Sequence, residues 1–212
     1  AKAQLVVDEI VSAGGNAIAL AGSIADRQQV KAACDKLRQA YGHITIVVNN
    51  AGISNFIPFE EITDEDWKIQ FEINTYGTFV VTQTVVPDMK AEGWGRVINI
   101  SSSSAFSGSF EQVHYSASKG AVVSMTRSLS QALGKYGITV NNVPPGAVMQ
   151  TIMSEENKTR FTISEETLAR MLPVGRTGVP DDIASAVAWL ASEETGYVTG
   201  QTINVNGGRY TS

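Results

Sequence analysis

Apolar runs and amphipathic stretches alternate along this chain of 212 residues. Apolar residues at helical spacing predict helices at 2–13, 25–42, 63–93, 113–134 and 180–191. Shorter and more continuously apolar runs predict buried strands at 16–22, 44–52, 95–102, 137–143 and 201–208. Strands that alternate with helices of this length predict βαβ units. The expected fold class is therefore α/β, with a parallel sheet between two layers of helices.

Polar residues and glycines mark the ends of three predicted strands. Asn50 and Gly52 end one strand, Ser102 ends the next, and Pro145 and Gly146 follow the third. In open parallel sheets, ligands bind outside the carboxyl ends of the strands. The sequence therefore predicts a binding site at this edge of the sheet.

The composition narrows the class of protein. The formal net charge is −5, whereas a nucleic-acid-binding surface is usually basic. No run approaches the roughly 18 apolar residues that a membrane-spanning helix needs, and the amphipathic first residues do not resemble a signal peptide. We expect one globular domain over 1–212 with neither nucleic acid nor a membrane as partner.

The cysteine content indicates a compartment. The single cysteine, Cys34, has no partner for a disulfide within the chain, which is typical of the reducing cytoplasm. Cys34 lies at helical spacing from Val30 and Leu37, so core packing is its expected role. No metal-binding residues are predicted.

The stretch HYSASKGAV places Tyr115 one helical turn before Lys119, with only small residues between them. Two interpretations are open at this point. One is an exposed helix with an incidental Tyr–Lys contact, because neighbours at this spacing are common. The other is a phenol whose proton is made easier to move by a nearby ammonium group.

Residues 147–175 form the least regular stretch and predict either a substrate lid or ordinary packing. A flexible, methionine-rich segment beside strand ends is suited to closing over an apolar substrate. Its apolar residues are Met149, Ile152, Met153, Phe161, Leu168 and Met171.

Seven short motifs occur together and in a fixed order. They are NNAG (49–52), NTYG (74–77), NISS (99–102), YSASK (115–119), PPG (144–146), RTGVPDDIA (176–184) and YVTGQTINVNGG (197–208). With them the chain resembles the short-chain dehydrogenases/reductases, above all 3-oxoacyl reductases and related bacterial alcohol dehydrogenases. The resemblance implies a Rossmann-like, doubly wound parallel sheet. It also implies hydride transfer between NADP or NAD and a ketone or secondary alcohol, with a 3-oxoacyl thioester as one candidate substrate.

The resemblance assigns four catalytic residues: Asn74, Ser102, Tyr115 and Lys119. Tyr115 is the implied general acid/base, and Ser102, thirteen residues earlier, hydrogen-bonds the substrate oxygen. Lys119 would bind the nicotinamide ribose and lower the pKa of Tyr115. Asn74, in the middle of a helix, would hold a water in a proton relay that reaches the lysine.

The resemblance also assigns the nucleotide contacts. The implied cofactor-binding residues are Ser23, Ile24, Asn50, Ala51, Gly52, Tyr115, Lys119, Pro145, Gly146 and Val148. Gly52 would leave room for the cofactor to pass. His114 is expected at the pocket edge or on the surface, and Asn49 is expected to tie strand ends together.

Three positions depart from the family pattern, namely Ser23, Thr45 and Gln150. The family also begins with a strand, a glycine-rich turn, a helix and a second strand, and the resemblance starts only after them. We therefore expect about 30–40 residues upstream of residue 1, enough for such a unit. That region normally selects between NAD and NADP, so the slight preference for NADP comes only from the similar reductases.

The sequence leaves two alternatives to the oxidoreductase function and also predicts an oligomeric state. The alternatives are a non-catalytic or cofactor-deficient scaffold of the same fold, and a sugar or polyol dehydrogenase. The family pairs its two long helices across an interface, which implies a homo-oligomer, a tetramer or a dimer. The apolar residues named for that interface are Phe79, Val80, Val85, Val86, Val122, Val123, Met125 and Leu129.

Overall fold

The computed structural model describes residues 2–151, 153–154 and 164–211. The helices are α1 (Lys2–Ser12), α2 (Arg27–Tyr41), α3 (Asp64–Phe71), α4 (Thr78–Glu92), α5 (Ser104–Ser107), α6 (Val113–Leu133), α7 (Glu165–Met171) and α8 (Pro180–Ala191). A π-helical segment joins α3 to α4 (Glu72–Gly77), and short 3-10 turns occupy Phe59–Glu61, Gly134–Tyr136 and Glu193–Thr195. The strands are β1 (Ile46–Asn49), β2 (Gly95–Ile100) and β3 (Ile138–Val143).

The strands form a parallel sheet in the order β1-β2-β3. The central strand β2 pairs Val97 with Val47 of β1 and with Val140 of β3. Because all three strands run in one direction, their carboxyl ends lie at the same edge of the sheet. The predicted α/β class is confirmed. The three strands also end at one edge, which is the edge where the sequence predicts the binding site.

Successive residues of β2 face opposite layers of helices. On one face Val97 packs with Val30 and Cys34 of α2 and with Met89 of α4. On the other face a second cluster contains Ile98, Ile100, Val143 and Leu190. The three-layer prediction is confirmed, and so is the core role of Cys34, whose pKa is raised by burial.

The predicted helix 63–93 is confirmed, with a local change in its centre. At its start Thr63 and Asp66 form a capping box, in which the Thr63 side chain accepts from the Asp66 N–H. The helix then passes through the π-helical segment, where Thr78 Oγ1 donates to the Asn74 carbonyl at 2.9 Å. Single π-helical turns often mark functional sites.

Two predicted strands differ from the structure. Residues 16–22 form no strand, because no described strand lies beside them to complete a ladder, and Ile18 is 40% exposed. Residues 201–208 run parallel to β3 and share backbone hydrogen bonds with Asn142, but they form only the isolated bridges Asn142–Thr202 and Pro145–Val205. There the Asn141 side chain replaces backbone partners, since it bonds both the Val198 carbonyl and the Gln201 N–H.

The outer edge of β1 is unpaired within the part of the chain that the structure describes. Ile46 and Val48 on this strand are 42% and 41% exposed, and α1 buries none of its residues. This region is therefore the least covered part of the core. None of the described helices is both long and apolar enough to cross a membrane.

Candidate active site

Hydrogen bonds between loops hold Ser102 at the carboxyl edge of the sheet. The Ser101 N–H donates to the Val143 carbonyl at 3.2 Å, and the Ser103 N–H donates to the Pro145 carbonyl at 3.0 Å. The segment after β2 is thus tied to the segment after β3. Ser102 lies between these two bonds, as the strand-end pattern predicted.

Tyr115 and Lys119 lie one turn apart on α6, and both are buried. Tyr115 is 7% exposed and Lys119 is 4% exposed, so the interpretation as an incidental contact on an exposed helix is wrong. The Lys119 ammonium donates to the Ile100 carbonyl, at the end of β2, at 3.0 Å. Burial lowers the pKa of Lys119 to about 8.

The phenol of Tyr115 is held in its neutral form. Burial raises the pKa of Tyr115, and a hydrogen bond with Ser102 opposes that rise without reversing it. The sequence had predicted a pKa lowered by Lys119. In the structure the desolvation of the phenol itself outweighs its hydrogen bond with Ser102, so the pKa is raised.

Ser104 orients the hydroxyl of Ser102. The Ser102 oxygen accepts from both the Ser104 N–H at 3.2 Å and the Ser104 hydroxyl at 2.9 Å. With its oxygen engaged as acceptor, Ser102 has its own proton available for donation. Sequence reasoning missed Ser104, although two serines spaced two apart within the run 101–104 carried the signal.

The carboxamide of Asn74 is completely buried and hydrogen-bonded at both ends. Its Oδ1 accepts from the Ile53 N–H at 2.9 Å. Its Nδ2 lies within hydrogen-bond distance of three acceptors: the Ile53 carbonyl at 3.0 Å, Gln70 Oε1 at 2.9 Å and Ser118 Oγ at 3.0 Å. Asn74 therefore connects the π-helical segment to the loop after β1 and to α6.

Gly52 lies where these groups converge. A Cβ atom at Gly52 would stand 3.0 Å from Asn74 Oδ1 and 3.0 Å from Lys119 Nζ. Both polar atoms therefore face the same small space beside the chain. Asn50 and Ala51, directly before Gly52, are exposed at the end of β1.

The loop after β3 contributes the opposite side of the edge. Pro145 and Val148 form bridges with Val205 and Gly178, which fix this loop against later segments. A Cβ at Gly146 would lie 2.7 Å from the Asn206 Cα, a distance that requires glycine. These residues stand where the sequence predicted a strand-end binding loop.

The loop before α2 carries Ser23 and Ile24. Ile24 packs against the helix three residues after Asn74, since a Cβ at Gly77 would lie 2.6 Å from its Cδ1. Ser23 is exposed, and its N–H donates to Gln29 Oε1 at 2.9 Å. Ile24 thus lies beside the segment that holds Asn74, whereas the described hydrogen bonds of Ser23 stay within its own loop and helix α2.

Residues 1–210 match the family model described as Enoyl-(Acyl carrier protein) reductase. The chain belongs to the short-chain dehydrogenases/reductases. It is 37% identical over 195 residues to an acetoacetyl-CoA reductase of Cupriavidus necator, covering 92% of this chain and 78% of that protein. It is 38% identical over 186 residues to a 3-oxoacyl-(acyl-carrier-protein) reductase of Thermotoga maritima, covering 88% of this chain and 74% of that protein.

A solved structure also resembles this short-chain dehydrogenase/reductase. A gluconate 5-dehydrogenase from Burkholderia cenocepacia, in complex with NADP and tartrate, superposes with a TM-score of 0.89 at 32% identity. The match covers 98% of this chain and 81% of that chain. The Rossmann-like fold is thereby confirmed, and the chain is an oxidoreductase of the class that acts on a ketone or an alcohol.

Two further positions of this short-chain dehydrogenase/reductase were tested by the structure. His114 was predicted at the pocket edge or on the surface. This is wrong, because His114 is 0% exposed and its Nε2 lies 2.7 Å from Asn55 Oδ1. Asn49 was predicted to tie strand ends together. This is confirmed, since its Nδ2 donates to Asn99 Oδ1 at 2.8 Å and to Thr82 Oγ1 at 2.9 Å.

The stretch 147–175 lies only partly within the described residues. Ile152 and Phe161, named as parts of a lid, lie outside them. Of the others, Met153 is 37% exposed and Met171 is 69% exposed, whereas Met149 and Leu168 are partly buried.

Proposed function

We propose that this short-chain dehydrogenase/reductase interconverts a ketone and a secondary alcohol with NADP, using Tyr115 as the general acid/base. The observation that carries the proposal is the buried group at the carboxyl edge. There Tyr115, Lys119 and Asn74 lie beside Ser102, each fixed by its own hydrogen bonds or by burial. A non-catalytic scaffold would have no use for a buried ammonium next to a buried phenol, because burying either group costs free energy.

The residues at this edge fit a nicotinamide nucleotide. Gly52 leaves open the space in front of Lys119 Nζ and Asn74 Oδ1, where one donor and one acceptor suit ribose hydroxyls. Ser23, Ile24, Asn50 and Ala51 would border the adenosine half, and Pro145, Gly146 and Val148 the nicotinamide. When bound, the nucleotide supplies or accepts the hydride. NADP is favoured over NAD because the Burkholderia gluconate 5-dehydrogenase was solved with NADP.

Tyr115 delivers the proton that a reduced carbonyl oxygen needs. Its raised pKa keeps the phenol protonated and neutral near neutral pH. It can therefore donate a proton in the reductive direction. Ser102 donates a second hydrogen bond to the same oxygen and stabilises its developing negative charge. The relay from Asn74 towards Lys119 would then return a proton to Tyr115.

A 3-oxoacyl thioester is the favoured substrate. Two similar proteins are named for such substrates, an acetoacetyl-CoA reductase and a 3-oxoacyl-(acyl-carrier-protein) reductase. The segment 147–175, with exposed Met153 and Met171, is proposed as a lid of the single domain that covers an apolar chain. The second candidate is a sugar acid, favoured by the match to a gluconate 5-dehydrogenase.

One set of rate measurements tests these assignments. NADPH or NADH consumption is followed with acetoacetyl-CoA, and NADP+ or NAD+ reduction is followed with gluconate. The proposal expects kcat/KM to be highest for NADPH with acetoacetyl-CoA. Turnover of gluconate alone would favour the second candidate, and no turnover with either pair would support the scaffold.

Substitution of Ser104 tests how Ser102 is oriented. We expect Ser104→Ala to lower kcat by about 3- to 10-fold, because the Ser102 hydroxyl loses the partner that directs its proton. The KM for the nucleotide should stay unchanged, since the Ser104 side chain bonds Ser102, the residue assigned to the substrate oxygen. Ser107→Ala is a suitable control, because the Ser107 hydroxyl bonds only nearby backbone carbonyls, at Ser103 and Gly108. Equal activity of the two variants would remove Ser104 from the site.

We further propose that the protein is a homo-oligomer, either a tetramer or a dimer. Four residues named from the sequence, Val80, Val85, Val122 and Val123, belong to the chain's own core and are not available to an interface. The apolar surface lies elsewhere on the same helices, as a concave patch of about 530 Å³ lined by Phe71, Glu72, Thr75, Tyr76, Phe79 and Met125. Exposed apolar patches of this kind mark association sites.

Light scattering of variants tests that surface. We expect the wild-type mass to be two or four chains at micromolar concentration, and Phe79→Glu to lower it, because a carboxylate would be buried without a partner. Phe110→Glu is the matched control, since Phe110 is 87% exposed outside the patch. A wild-type mass of one chain would contradict the proposal.

We place the enzyme in the cytoplasm. Cys34 is a free thiol buried in the core, and the chain has no second cysteine with which to form a disulfide. Such cysteine usage fits a reducing compartment. Fractionation of cells that produce the protein would test this location.

A further inference from the structure

Helix α3 buries an amide where an apolar residue would ordinarily pack. Gln70 is 1% exposed and is the one residue of α3 that is buried. Glutamine is seldom fully buried unless its polar atoms are paired. Here Gln70 Nε2 donates to Asn55 Oδ1 at 2.7 Å, and Gln70 Oε1 accepts from Asn74 Nδ2 at 2.9 Å. Both ends of the amide are therefore engaged.

The identity of the bonded atoms fixes which side chain donates and which accepts in each hydrogen bond of this series. Asn55 Oδ1 also lies 2.7 Å from His114 Nε2. A carbonyl oxygen can only accept, so His114 carries its proton on Nε2. His114 and Gln70 thus both donate to Asn55, and Asn74 donates to Gln70.

His114 is the last member of this series of hydrogen-bonded side chains, and its imidazole is buried and neutral. Its ring is fully buried, burial lowers its pKa, and its Nδ1 has no hydrogen-bond partner among the described residues. An unpaired buried acceptor costs free energy. The bond that holds this histidine in place is the one to Asn55, which links it to Gln70.

The hydrogen bonds among His114, Asn55 and Gln70 favour one orientation of the Asn74 carboxamide. Were that group reversed, its oxygen would face Gln70 Oε1 and Ser118 Oγ, and its NH2 would face the Ile53 N–H. Gln70 has no freedom to reverse in response, because Asn55 Oδ1 requires its donor end. In the observed orientation, Asn74 Oδ1 faces the space beside Gly52 that it shares with Lys119 Nζ.

We propose that Gln70, held by Asn55 and His114, is a positioning residue that keeps the Asn74 oxygen on the Ile53 N–H and beside Gly52, a position that Lys119 Nζ also borders. The inference rests on the proposed function, in which Asn74 and Lys119 serve proton return to Tyr115. Gln70 touches neither Tyr115 nor Lys119 through any described hydrogen bond, so its effect passes through Asn74. Sequence reasoning missed it, because a glutamine on an amphipathic helix is ordinarily a solvent-exposed residue.

A kinetic cycle separates positioning from loss of stability. Gln70→Met keeps the length of the side chain and removes both hydrogen bonds. With NADPH and acetoacetyl-CoA we expect it to lower kcat by about 10-fold and to leave the KM for NADPH within about 2-fold. In an Asn74→Ala background the same substitution should have no further effect. An equal loss in both backgrounds would overturn the inference while leaving the proposed function intact.

Asn141→Leu is the matched control. Asn141 is a 1%-exposed amide with two hydrogen bonds, to the Val198 carbonyl and from the Gln201 N–H, and it lies in β3 outside the site. It should lose stability comparably and keep its kcat. If Asn141→Leu lowers kcat as much as Gln70→Met, the effect is general destabilisation and the inference fails.

A second readout needs no turnover. In protein labelled with nitrogen-15 and free of nucleotide, we expect the Asn74 side-chain NH2 protons to exchange with solvent at least about 10-fold faster in Gln70→Met than in wild type. Asn55→Ala, at a partly exposed position, should have the same effect if Gln70→Met does not fold. Unchanged exchange in the folded variant would overturn the inference. Should Asn74→Ala retain full turnover, the proposed role of Asn74 fails, and this experiment still decides whether Gln70 orients it.

Discussion

Replacing Tyr115 by Phe is expected to lower kcat by at least about 100-fold while changing the free energy of unfolding by less than about 1 kcal/mol. The substitution removes the transferable proton and keeps the ring that α6 buries. The hydroxyl has a bond with Ser102, but burial of the phenol also carries a desolvation cost, so the two losses offset each other. The variant should therefore fold normally and fail in the proton-transfer step.

Initial rates and urea unfolding of the same preparations check this expectation. Tyr136→Phe is the control, because Tyr136 packs against the core below Lys90 and lies away from the carboxyl edge. It should keep its kcat. Near-normal turnover in Tyr115→Phe would show that another group delivers the proton.

The site was predictable where its geometry is local. One helical turn separates Tyr115 from Lys119, so their shared face follows from spacing alone, and burial of both was then confirmed. The strand ends at Asn50, Ser102 and Gly146 were likewise predictable, because parallel strands of one sheet all end at one edge. Asn74 was predicted in the middle of a long helix, and the structure places it within the π-helical segment Glu72–Gly77.

The remaining features depend on contacts that sequence spacing does not encode. Gln70 meets Asn55 and Asn55 meets His114 only after α3 and α6 pack together, so each residue by itself resembles a surface polar group. The upward shift of the Tyr115 pKa comes from burial of the phenol itself, which the Tyr–Lys spacing does not report.

The predicted strands failed for the same reason. Residues 16–22 have strand-like composition, yet a strand exists only where a neighbouring backbone completes its ladder. Residues 201–208 do share backbone hydrogen bonds with β3 and the loop after it, but the Gln201 N–H goes to the Asn141 side chain, and only isolated bridges form. Composition predicts the tendency of a segment to extend, whereas its partners decide whether it forms a regular strand.

The buried charge of Lys119 is expected to lower the free energy of unfolding, although the residue is necessary for turnover. Its pKa is lowered from 10.5 to about 8 by burial. Below pH 8 the lysine is charged in both the folded and the unfolded chain, so the full cost of burying the charge is present. Between pH 8 and 10.5 the unfolded chain binds a proton that the folded chain has lost, so stability rises with pH through that window. The shift corresponds to a cost of about 3 kcal/mol at neutral pH.

Lys119→Met should therefore stabilise the nucleotide-free protein at pH 7 while lowering kcat by at least about 100-fold. Methionine fills a similar volume without a charge, and the lost bond to the Ile100 carbonyl offsets about 1 kcal/mol of the gain. We expect a net increase of about 1–3 kcal/mol in the free energy of unfolding at pH 7, shrinking towards zero or below at pH 10. Urea unfolding at the two pH values measures it, with Lys36→Met on the exposed face of α2 as control. A variant that is less stable at pH 7 would mean that the ammonium is compensated within the fold, and retained turnover would exclude it from the chemistry.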